Sequence, residues 1–252
     1  MTGEAENTLS SVERTLDVLE YLKNAERASV TELAEALDAP SSTVYNYLRT
    51  LKNREYVRKT DGEYELANRF VHFGDFARVR LPLYRTGKPN IVWLAEETGR
   101  TVNLVVEEFG RGIYLSTANR ERHLRNFAHA RRREYLHTTA AGRAVLMTMT
   151  DDEIDDVVDE HGLPARTDNS ITDREELFET VERARERGYT VNDEENTPGI
   201  RAVGAPVENP DGPYGSVSLS GLASRCSLEE LHDDLAPKVR DTAEAISLEL
   251  QS

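Results

Sequence analysis

Nine polar and basic residues in the first quarter of the chain could together bind a nucleic-acid duplex. They are Ser41, Ser42, Thr43, Tyr45, Asn46, Arg49, Lys52, Arg58 and Lys59. Guanidinium and ammonium groups bind phosphate oxygens, while hydroxyl and amide groups can read base edges in the major groove. Residues 41–60 carry five bases against one acid, although the whole chain has a net charge of -15. The solvated face of an ordinary amphipathic helix is the alternative, but the local positive charge favours contact with DNA.

Two predicted helices would present most of these residues on one surface. The first helix begins at Ser29 and breaks at residues 38–40, and the second restarts at Ser41. The apolar residues of the second helix recur at helical spacing, so they face a core and the polar residues point outward. These apolar residues are Val44, Leu48 and Leu51. A helix-turn-helix of this kind fits its second helix into the major groove of double-stranded DNA.

A β-ribbon and a supporting helix complete the predicted N-terminal domain, residues 1–67. Asp61-Gly62 separates two β-rich runs and favours a tight hairpin turn, which predicts a wing beside the second helix. A helix from Ser10 to about Asn24, opened by a capping box between Ser10 and Glu13, would support the domain. Its expected apolar stripe is Val12, Leu16, Leu19 and Leu22. The fold predicted here is a winged helix-turn-helix.

Composition excludes several classes of protein. No run approaches the roughly 20 apolar residues that a membrane span needs, and the N-terminus lacks the order of a signal peptide, so a cytoplasmic protein with no membrane partner is expected. The single Cys226 excludes an internal disulfide, and the six histidines are scattered without metal-ligand spacing, so no metal or cofactor is predicted. Five lysines among 31 basic residues, with 46 acids, are typical of adaptation to a salt-rich cytoplasm, which predicts a halophilic source.

Residues 68–81 are predicted to form a helical linker that also joins two copies of the chain. Its large apolar residues are Phe70, Val71, Phe73, Phe76 and Val79. A linker in solvent has no need of so many such groups, so they should pack on another subunit or another domain. The alternative is packing within one chain.

Residues 82–252 are predicted to form a second, α+β domain. A helix ending at Gly99 precedes a hairpin of two β-rich runs, and three further β-rich pieces lie at residues 189–192, 201–208 and 214–220. A turn is expected at residues 209–213, and a final helix is expected after the capping pattern Ser227-x-x-Glu230. The basic segment at residues 120–133 could touch DNA, but in so acidic a chain a solvated or interface face is favoured.

Two features of this domain point to a ligand. Small residues crowd the first turn of a helix near Ala140, leaving its first N–H groups open to an anion. Ser218 and Ser220 alternate on one strand and therefore point to the same face of the sheet. Their hydroxyl groups could serve a polar ligand, or they could bond to neighbouring backbone in an ordinary sheet.

Motifs across both domains give the chain a resemblance to a known family. They include Ser42-Thr43-Val44-Tyr45-Asn46-Tyr47-Leu48, Leu136-His137-x-Thr139-Ala140-Ala141-Gly142-Arg143-Ala144, Gly199-Ile200-Arg201 and Ser218-Leu219-Ser220-Gly221. In this order and spacing they resemble the IclR family of transcriptional regulators over essentially the full length. The resemblance implies a winged helix-turn-helix, a helical linker and a GAF-like effector-binding domain. It also implies a homodimer or a dimer of dimers.

The resemblance further implies that a small organic acid binds in the C-terminal domain and controls affinity for a DNA operator. Its carboxylate would sit on the helix N–H groups at Ala140 and Ala141. The remaining polar contacts would come from positions Asn192, Ala202, Ser218 and Ser220. The sequence departs from the family's best-known pattern at Asn192, where Asp is usual, and at Ala202, where Cys can occur. Sugar acids, 2-oxo acids and aromatic acids are all candidate effectors.

Two other classes of protein are alternatives to a regulator. A bifunctional enzyme with a DNA-binding front end, similar to a biotin ligase, is suggested by the Gly110-Arg111-Gly112 fragment of a phosphate-binding loop. The remaining Arg and Gly residues of that loop are missing, and no activated nucleophile is visible, so no enzyme and no catalytic residue is predicted. A protein-binding module whose winged domain no longer contacts DNA is the third option.

Overall fold

The computed structural model describes residues 8–119, 133–208 and 215–251. The chain divides into two compact units, Met1–Ala77 and Arg78–Ser252. The predicted limits of the linker, at residues 68 and 81, stay a prediction. The predicted turn at residues 209–213 lies outside the described residues, and so does all of the basic segment except Arg133.

The first unit contains the predicted helix-turn-helix and wing. Its elements are α1 (Ser10–Ala25), α2 (Val30–Ala36), α3 (Ser41–Asn53), β1 (Val57–Thr60) and β2 (Glu63–Leu66), and α4 (Arg69–Val79) begins within it. Strands β1 and β2 pair antiparallel through a turn at Asp61-Gly62, where both residues have positive φ angles of 54° and 96°. Glycine adopts such angles at little cost, which explains the turn.

Helix α2 begins with a reciprocal capping box. The Ser29 side chain accepts a hydrogen bond from the Glu32 N–H, and the Glu32 carboxylate accepts one from the Ser29 N–H at 2.8 Å. These bonds lower the pKa of Glu32 from its usual value. The cap satisfies N–H groups that a helix start otherwise leaves unpaired, which fixes the residue at which α2 begins.

Helix α1 differs from the prediction in two respects. Its core-facing residues are Val18 and Leu22, whereas Val12 and Leu16 are 51% and 56% exposed. The core of this unit contacts the helix from Val18 onward, so the first two turns of the helix lie outside the core. The expected capping box at Ser10 is also wrong, because Leu9 occupies the N-cap position and no side chain caps the helix.

The second unit is built on an antiparallel sheet with the strand order β5-β4-β3-β8-β7-β6 among the described residues. The strands are β3 (Thr101–Glu108), β4 (Arg111–Ala118), β5 (Arg133–Tyr135), β6 (Thr190–Asp193), β7 (Ile200–Val207) and β8 (Gly215–Leu222). The helices are α5 (Pro82–Thr98), α6 (Ala140–Leu146), α7 (Asp151–His161), α8 (Arg174–Arg187), α9 (Leu228–Glu230) and α10 (Ala236–Leu250). The α+β prediction is confirmed.

The two faces of this sheet have different partners. One face is apolar and packs against α5 and α10, with Leu104, Val203 and Leu219 fully buried between them. Because side chains alternate along a strand, the residues between these apolar ones point to the opposite face. That second face carries Asn103 and Ser218, and α6 covers part of it. The polar face is therefore available for a site, while the apolar face stabilises the fold.

Several predicted boundaries shift by one or two residues. The turn between β3 and β4 lies at Phe109-Gly110, and Arg111 and Gly112 belong to β4. Helix α8 is capped by Asp173, whose side chain accepts a hydrogen bond from the Glu176 N–H. In the last helical segment Leu228 is 38% exposed, and a π-helical turn, Leu231–Leu235, precedes Pro237. Within the described ranges, no helix combines the length and the apolar character needed to cross a bilayer.

Candidate DNA-binding surface and effector cavity

Helix α3 presents its polar residues outward, as the sequence predicted. Val44 and Leu48 are fully buried, which fixes the rotation of the helix about its axis. Eight of the nine predicted DNA-contacting residues are exposed, and the ninth, Thr43, is half-buried. The surface formed by these nine residues is called the reader surface below.

The wing holds part of the reader surface in place. Arg58 Nε lies 2.9 Å from Oε1 of Glu65, and the Lys59 ammonium lies 5.2 Å from the centre of the Tyr64 ring. The pKa of Glu65 is lowered, first by a hydrogen bond from Thr60 and then by the charges of Arg27 and Arg58. Glu65 therefore offsets part of the charge of Arg58, while a cation–π contact with the Tyr64 ring holds the Lys59 ammonium.

The start of α4 packs on the wing within the first unit. The ring centres of Phe70 and Phe73 lie 5.4 Å and 5.8 Å from that of Tyr56, and the Arg69 guanidinium lies over the same ring. Packing within one chain thus explains part of the apolar surface of this helix. Val71 and Phe76 of the same helix are 58% and 65% exposed.

The second unit contains a cavity of about 620 Å³ on the polar face of its sheet, part of it open to solvent. All six predicted effector-binding residues line it, namely Ala140, Ala141, Asn192, Ala202, Ser218 and Ser220. The structure also brings into the lining eight residues that sequence reasoning missed, namely Thr101, Asn103, Tyr114, Thr117, Thr139, Asn196, Thr197 and Ile200. None of these lining residues carries a formal charge, so a charged ligand would be held by hydrogen bonds and dipoles.

Strand pairing sets the floor of this cavity. Asn103 lies opposite Thr117 on one side and Ser218 on the other, and Thr101 lies opposite Ser220. Cross-strand neighbours on one face lie within side-chain reach of each other. One polar row therefore crosses β4, β3 and β8, and a second polar pair lies beside it on β3 and β8. These five side chains are called the polar floor below, namely Thr117, Asn103, Ser218, Thr101 and Ser220.

Hydrogen bonds within the polar floor fix the direction of its hydroxyl groups. The Thr117 hydroxyl donates to Asn103 Oδ1 at 2.8 Å, and Asn103 Nδ2 donates to Ser218 Oγ at 3.4 Å. Asn119 Nδ2 donates to Thr101 Oγ1 at 2.7 Å. Ser218 and Thr101 thus accept from an amide and keep their own protons to donate elsewhere.

Helix α6 forms the wall opposite the polar floor. A Cβ atom at Gly204 would lie 2.6 Å from the carbonyl oxygen of Ala140, so only glycine allows the helix this close to β7. The Ser216 hydroxyl donates to Ala141 O at 2.9 Å, and the Thr190 hydroxyl donates to Ala140 O at 2.7 Å. These bonds take up the carbonyl oxygens of Ala140 and Ala141, while their N–H groups lie in the first turn, where α6 itself offers no acceptor.

Asn192 has a structural role in addition to its position in the lining. Its Nδ2 donates to Thr138 O at 2.7 Å, and its Oδ1 accepts from the Glu195 N–H at 3.3 Å. Both ends of the amide are therefore engaged by the segments that flank the cavity. Compared with the Asp that is usual at this position, Asn192 keeps an oxygen that accepts from the Glu195 N–H and adds an N–H that donates to the Thr138 carbonyl oxygen.

A buried ion pair supports the loop at the cavity edge. Arg143 of α6 is 1% exposed and donates to Glu195 and to the carbonyl oxygen of His137. Glu195 immediately precedes Asn196 and Thr197, two residues of the lining. Because α6 and this loop both border the cavity, the ion pair connects two of its walls.

An extra residue in β4 explains how Tyr114 reaches the cavity. Leu104 pairs with Ser116 whereas Val105 pairs with Tyr114, so Leu115 is a β-bulge. In a regular strand, residues three apart point to opposite faces, yet Tyr114 and Thr117 both line the cavity. Burial and the charge of Glu134 raise the pKa of Tyr114, which therefore keeps its phenolic proton.

The features that suggested an enzyme have structural explanations. Gly110 lies in a turn, and the Arg111 guanidinium stacks 3.5 Å from the centre of the Tyr135 ring. Cys226 is buried, and burial raises the pKa of its thiol, which disfavours the thiolate. Among the described residues, no three His, Cys, Asp or Glu side chains gather in a way that could hold a metal ion.

Comparisons with known proteins cover both units. The family model for the IclR helix-turn-helix domain matches residues 11–61, and the model described as Bacterial transcriptional regulator IclR C-terminal matches residues 76–248. A curated relative, the probable HTH-type transcriptional regulator ArcR of Halobacterium salinarum, is 30% identical over 249 residues, which cover 97% of this chain and 95% of the relative.

Solved structures give the same result. The crystal structure of Thermotoga maritima IclR matches with a TM-score of 0.77 at 28% identity, covering 97% of this chain and 100% of that chain. An IclR homologue from Microbacterium hydrocarbonoxydans in complex with 4-hydroxybenzoate matches with a TM-score of 0.77, covering 96% of this chain and 98% of that one. Its identity is 17%, so this second likeness concerns the fold alone.

Proposed function

The chain belongs to the IclR family of DNA-binding transcriptional regulators with a ligand-binding C-terminal domain, and we propose that a small organic acid controls its affinity for an operator. The convergence of all six expected effector positions on one cavity carries this proposal. The relatives are named transcriptional regulators and repressors, which agrees with a role without catalysis. The biotin-ligase-like alternative is not favoured.

The acid would bind at the start of α6. Its carboxylate would accept hydrogen bonds from the N–H groups of Ala140 and Ala141. With no cationic side chain in the lining, this cluster of donors is what favours an anion, aided by the dipole of the helix start. The bound 4-hydroxybenzoate of the structural neighbour from Microbacterium hydrocarbonoxydans is also an organic acid, which supports this ligand class.

The reader surface would bind double-stranded DNA as part of a homodimer or a dimer of dimers. Two copies of α3 would enter successive major grooves about 34 Å apart, reading a two-fold related operator. Arg49 and Asn46 would contact base edges, while Lys52, Arg58 and Lys59 would bind phosphates. Such a regulator would act in the cytoplasm, where its DNA is.

Effector and operator would influence each other through one coupling free energy. If the acid lowers operator affinity by a given factor, the operator must lower affinity for the acid by the same factor. The test is to select DNA fragments on the purified full chain in high salt and then to titrate the recovered operator with a panel of organic acids. A panel that binds the protein without changing operator affinity would contradict the regulatory half of the proposal.

A further inference from the structure

We propose that the effector is a hydroxylated aliphatic acid whose hydroxyl groups are bound by the polar floor. This inference rests on the proposed function, because it takes the carboxylate to lie at the start of α6. It goes beyond that proposal by assigning a role to Thr101, Asn103 and Thr117, and it sets 2-oxo, aromatic and alkyl acids aside.

The chemistry of the lining is the first observation. Ten of its fourteen residues carry a hydroxyl or amide group, and the other four are three alanines and one isoleucine. An alkyl chain or an aromatic ring placed on this surface would remove water from polar groups without replacing its hydrogen bonds, which is costly. A ligand with several hydroxyl groups replaces those bonds.

The direction of the protons is the second observation. Thr101 and Ser218 each accept from an amide, so their own protons are free to donate into the cavity. Thr117 gives its proton to Asn103, so its remaining lone pairs can accept from a ligand. The polar floor therefore presents donors and an acceptor side by side. An oxo group can only accept, whereas a hydroxyl group can do both.

A buried acceptor without a partner is the third observation. Asn196 belongs to the cavity lining, and its buried Oδ1 has no hydrogen-bond partner among the described residues. Such an acceptor is costly unless a donor reaches it. Neither a carboxylate nor an alkyl chain can donate, but a ligand hydroxyl can. Asn103 is itself 8% exposed and Ser218 3% exposed, so the floor is a built site rather than a patch of surface.

The test compares acids that differ only in their hydroxyl groups. Isothermal titration of the full chain in high salt would use D-threonate, D-xylonate and D-gluconate against butanoate, pentanoate and hexanoate, with 4-hydroxybenzoate as the aromatic member. We expect at least one hydroxylated acid to bind about 10-fold or more tightly than the alkanoate of equal length, the effect of losing roughly one hydrogen bond in a desolvated site.

Two variants test whether the polar floor causes the preference for hydroxylated acids. Asn103→Leu keeps the size of the side chain and removes both amide contacts, so the preference for hydroxylated acids should fall about 10-fold while alkanoate affinity is kept. Thr117→Val tests the same floor if the first variant does not fold. The matched control is Thr172→Val, which removes an exposed hydroxyl outside the lining and should leave the preference intact.

The possible outcomes separate this inference from the function it rests on. Alkanoates or 4-hydroxybenzoate binding as tightly as every hydroxylated acid would overturn the inference and leave the organic-acid proposal standing. Failure of all seven acids to bind the folded protein would overturn both. A preference that persists in both floor variants would overturn the role of Asn103 and Thr117.

Discussion

Arg143 of α6 and Glu195 of the neighbouring loop form a buried ion pair that joins two walls of the effector cavity, with Nη2 of Arg143 3.0 Å from Oε1 of Glu195. The two residues are 52 positions apart in the chain. Arg143 is almost completely removed from solvent, so Glu195 is the carboxylate that balances its charge.

Glu195→Gln should destabilise the second unit. The substitution keeps the shape of the side chain but leaves a buried guanidinium without a counter-charge, which typically costs about 3 kcal/mol or more. Urea unfolding at constant salt would measure the loss. Glu179→Gln changes an exposed carboxylate of α8 and should alter stability by less than about 0.5 kcal/mol. Equal effects of the two variants would show that the ion pair contributes little.

Arg49→Ala should weaken operator binding without affecting the fold. The side chain is exposed on the reader surface, and loss of a base contact of this kind costs about 1–3 kcal/mol, or roughly 10- to 100-fold in affinity. Fluorescence anisotropy with the selected operator would measure it. Lys23→Ala removes an exposed base of α1 outside the reader surface and serves as the control. Unchanged binding in Arg49→Ala would mean that α3 does not face DNA in the way proposed.

Lys52→Ala should change how operator binding depends on salt. A lysine that neutralises one phosphate contributes about -0.9 to the slope of log affinity against log salt concentration, so its removal should make the slope shallower by about that amount. Binding should weaken about equally for all DNA sequences. Asn46→Ala should instead leave the slope unchanged and relax the choice of base at one position, because its amide carries no charge.

Phe76→Glu should shift the protein towards monomers. This residue is 65% exposed in α4, and the apolar surface around it is the expected contact between two copies. Sedimentation equilibrium should show a dimer dissociation constant that is raised by about 100-fold, the effect expected when a central interface residue is lost. Phe109→Glu alters a residue that is 73% exposed in the turn before β4, and it should leave the assembly unchanged. A dimer that withstands Phe76→Glu would place the contact elsewhere.

His137 should make the second unit less stable in acid. Burial, helped by the charges of Arg143 and Arg111, lowers the pKa of His137 from 6.5 to about 4. The unfolded chain therefore takes up a proton at a higher pH than the folded one, so this contribution to stability is full above pH 6.5 and declines as the pH falls towards 4. Urea unfolding between these values should show a smaller pH slope in His137→Gln. His72→Gln, an exposed histidine of α4, should keep the wild-type slope.

The sequence predicts the parts of this molecule that are governed by local patterns. The rotation of α3 follows from Val44 and Leu48, which sit at helical spacing, and both are fully buried. Ser218 and Ser220 share a face because a strand repeats every two residues. The same logic applied to β3 could have found Thr101 and Asn103, two polar residues that alternate with the buried Val102 and Leu104.

The remaining features depend on contacts that the sequence does not specify. The apolar stripe of α1 correctly indicates a helix, but how far the core extends along that helix depends on the other elements of the unit. The stripe therefore wrongly predicts a buried Val12. Alternation along the strand does not predict the face to which Tyr114 points, because that face depends on how β4 pairs with β3. Arg143 and Glu195 are too far apart in the chain for a local pattern to join them.

The bulge at Leu115 lets both halves of β4 keep the faces set by their partners in β3, although β4 holds one residue more. Tyr114 pairs with Val105 and Thr117 pairs with Asn103, whereas Leu115 is buried in the apolar core. Loss of Leu115 would therefore leave both cavity residues on their face and remove one side chain from the core, so variation at this position changes the stability of the sheet before it changes the ligand.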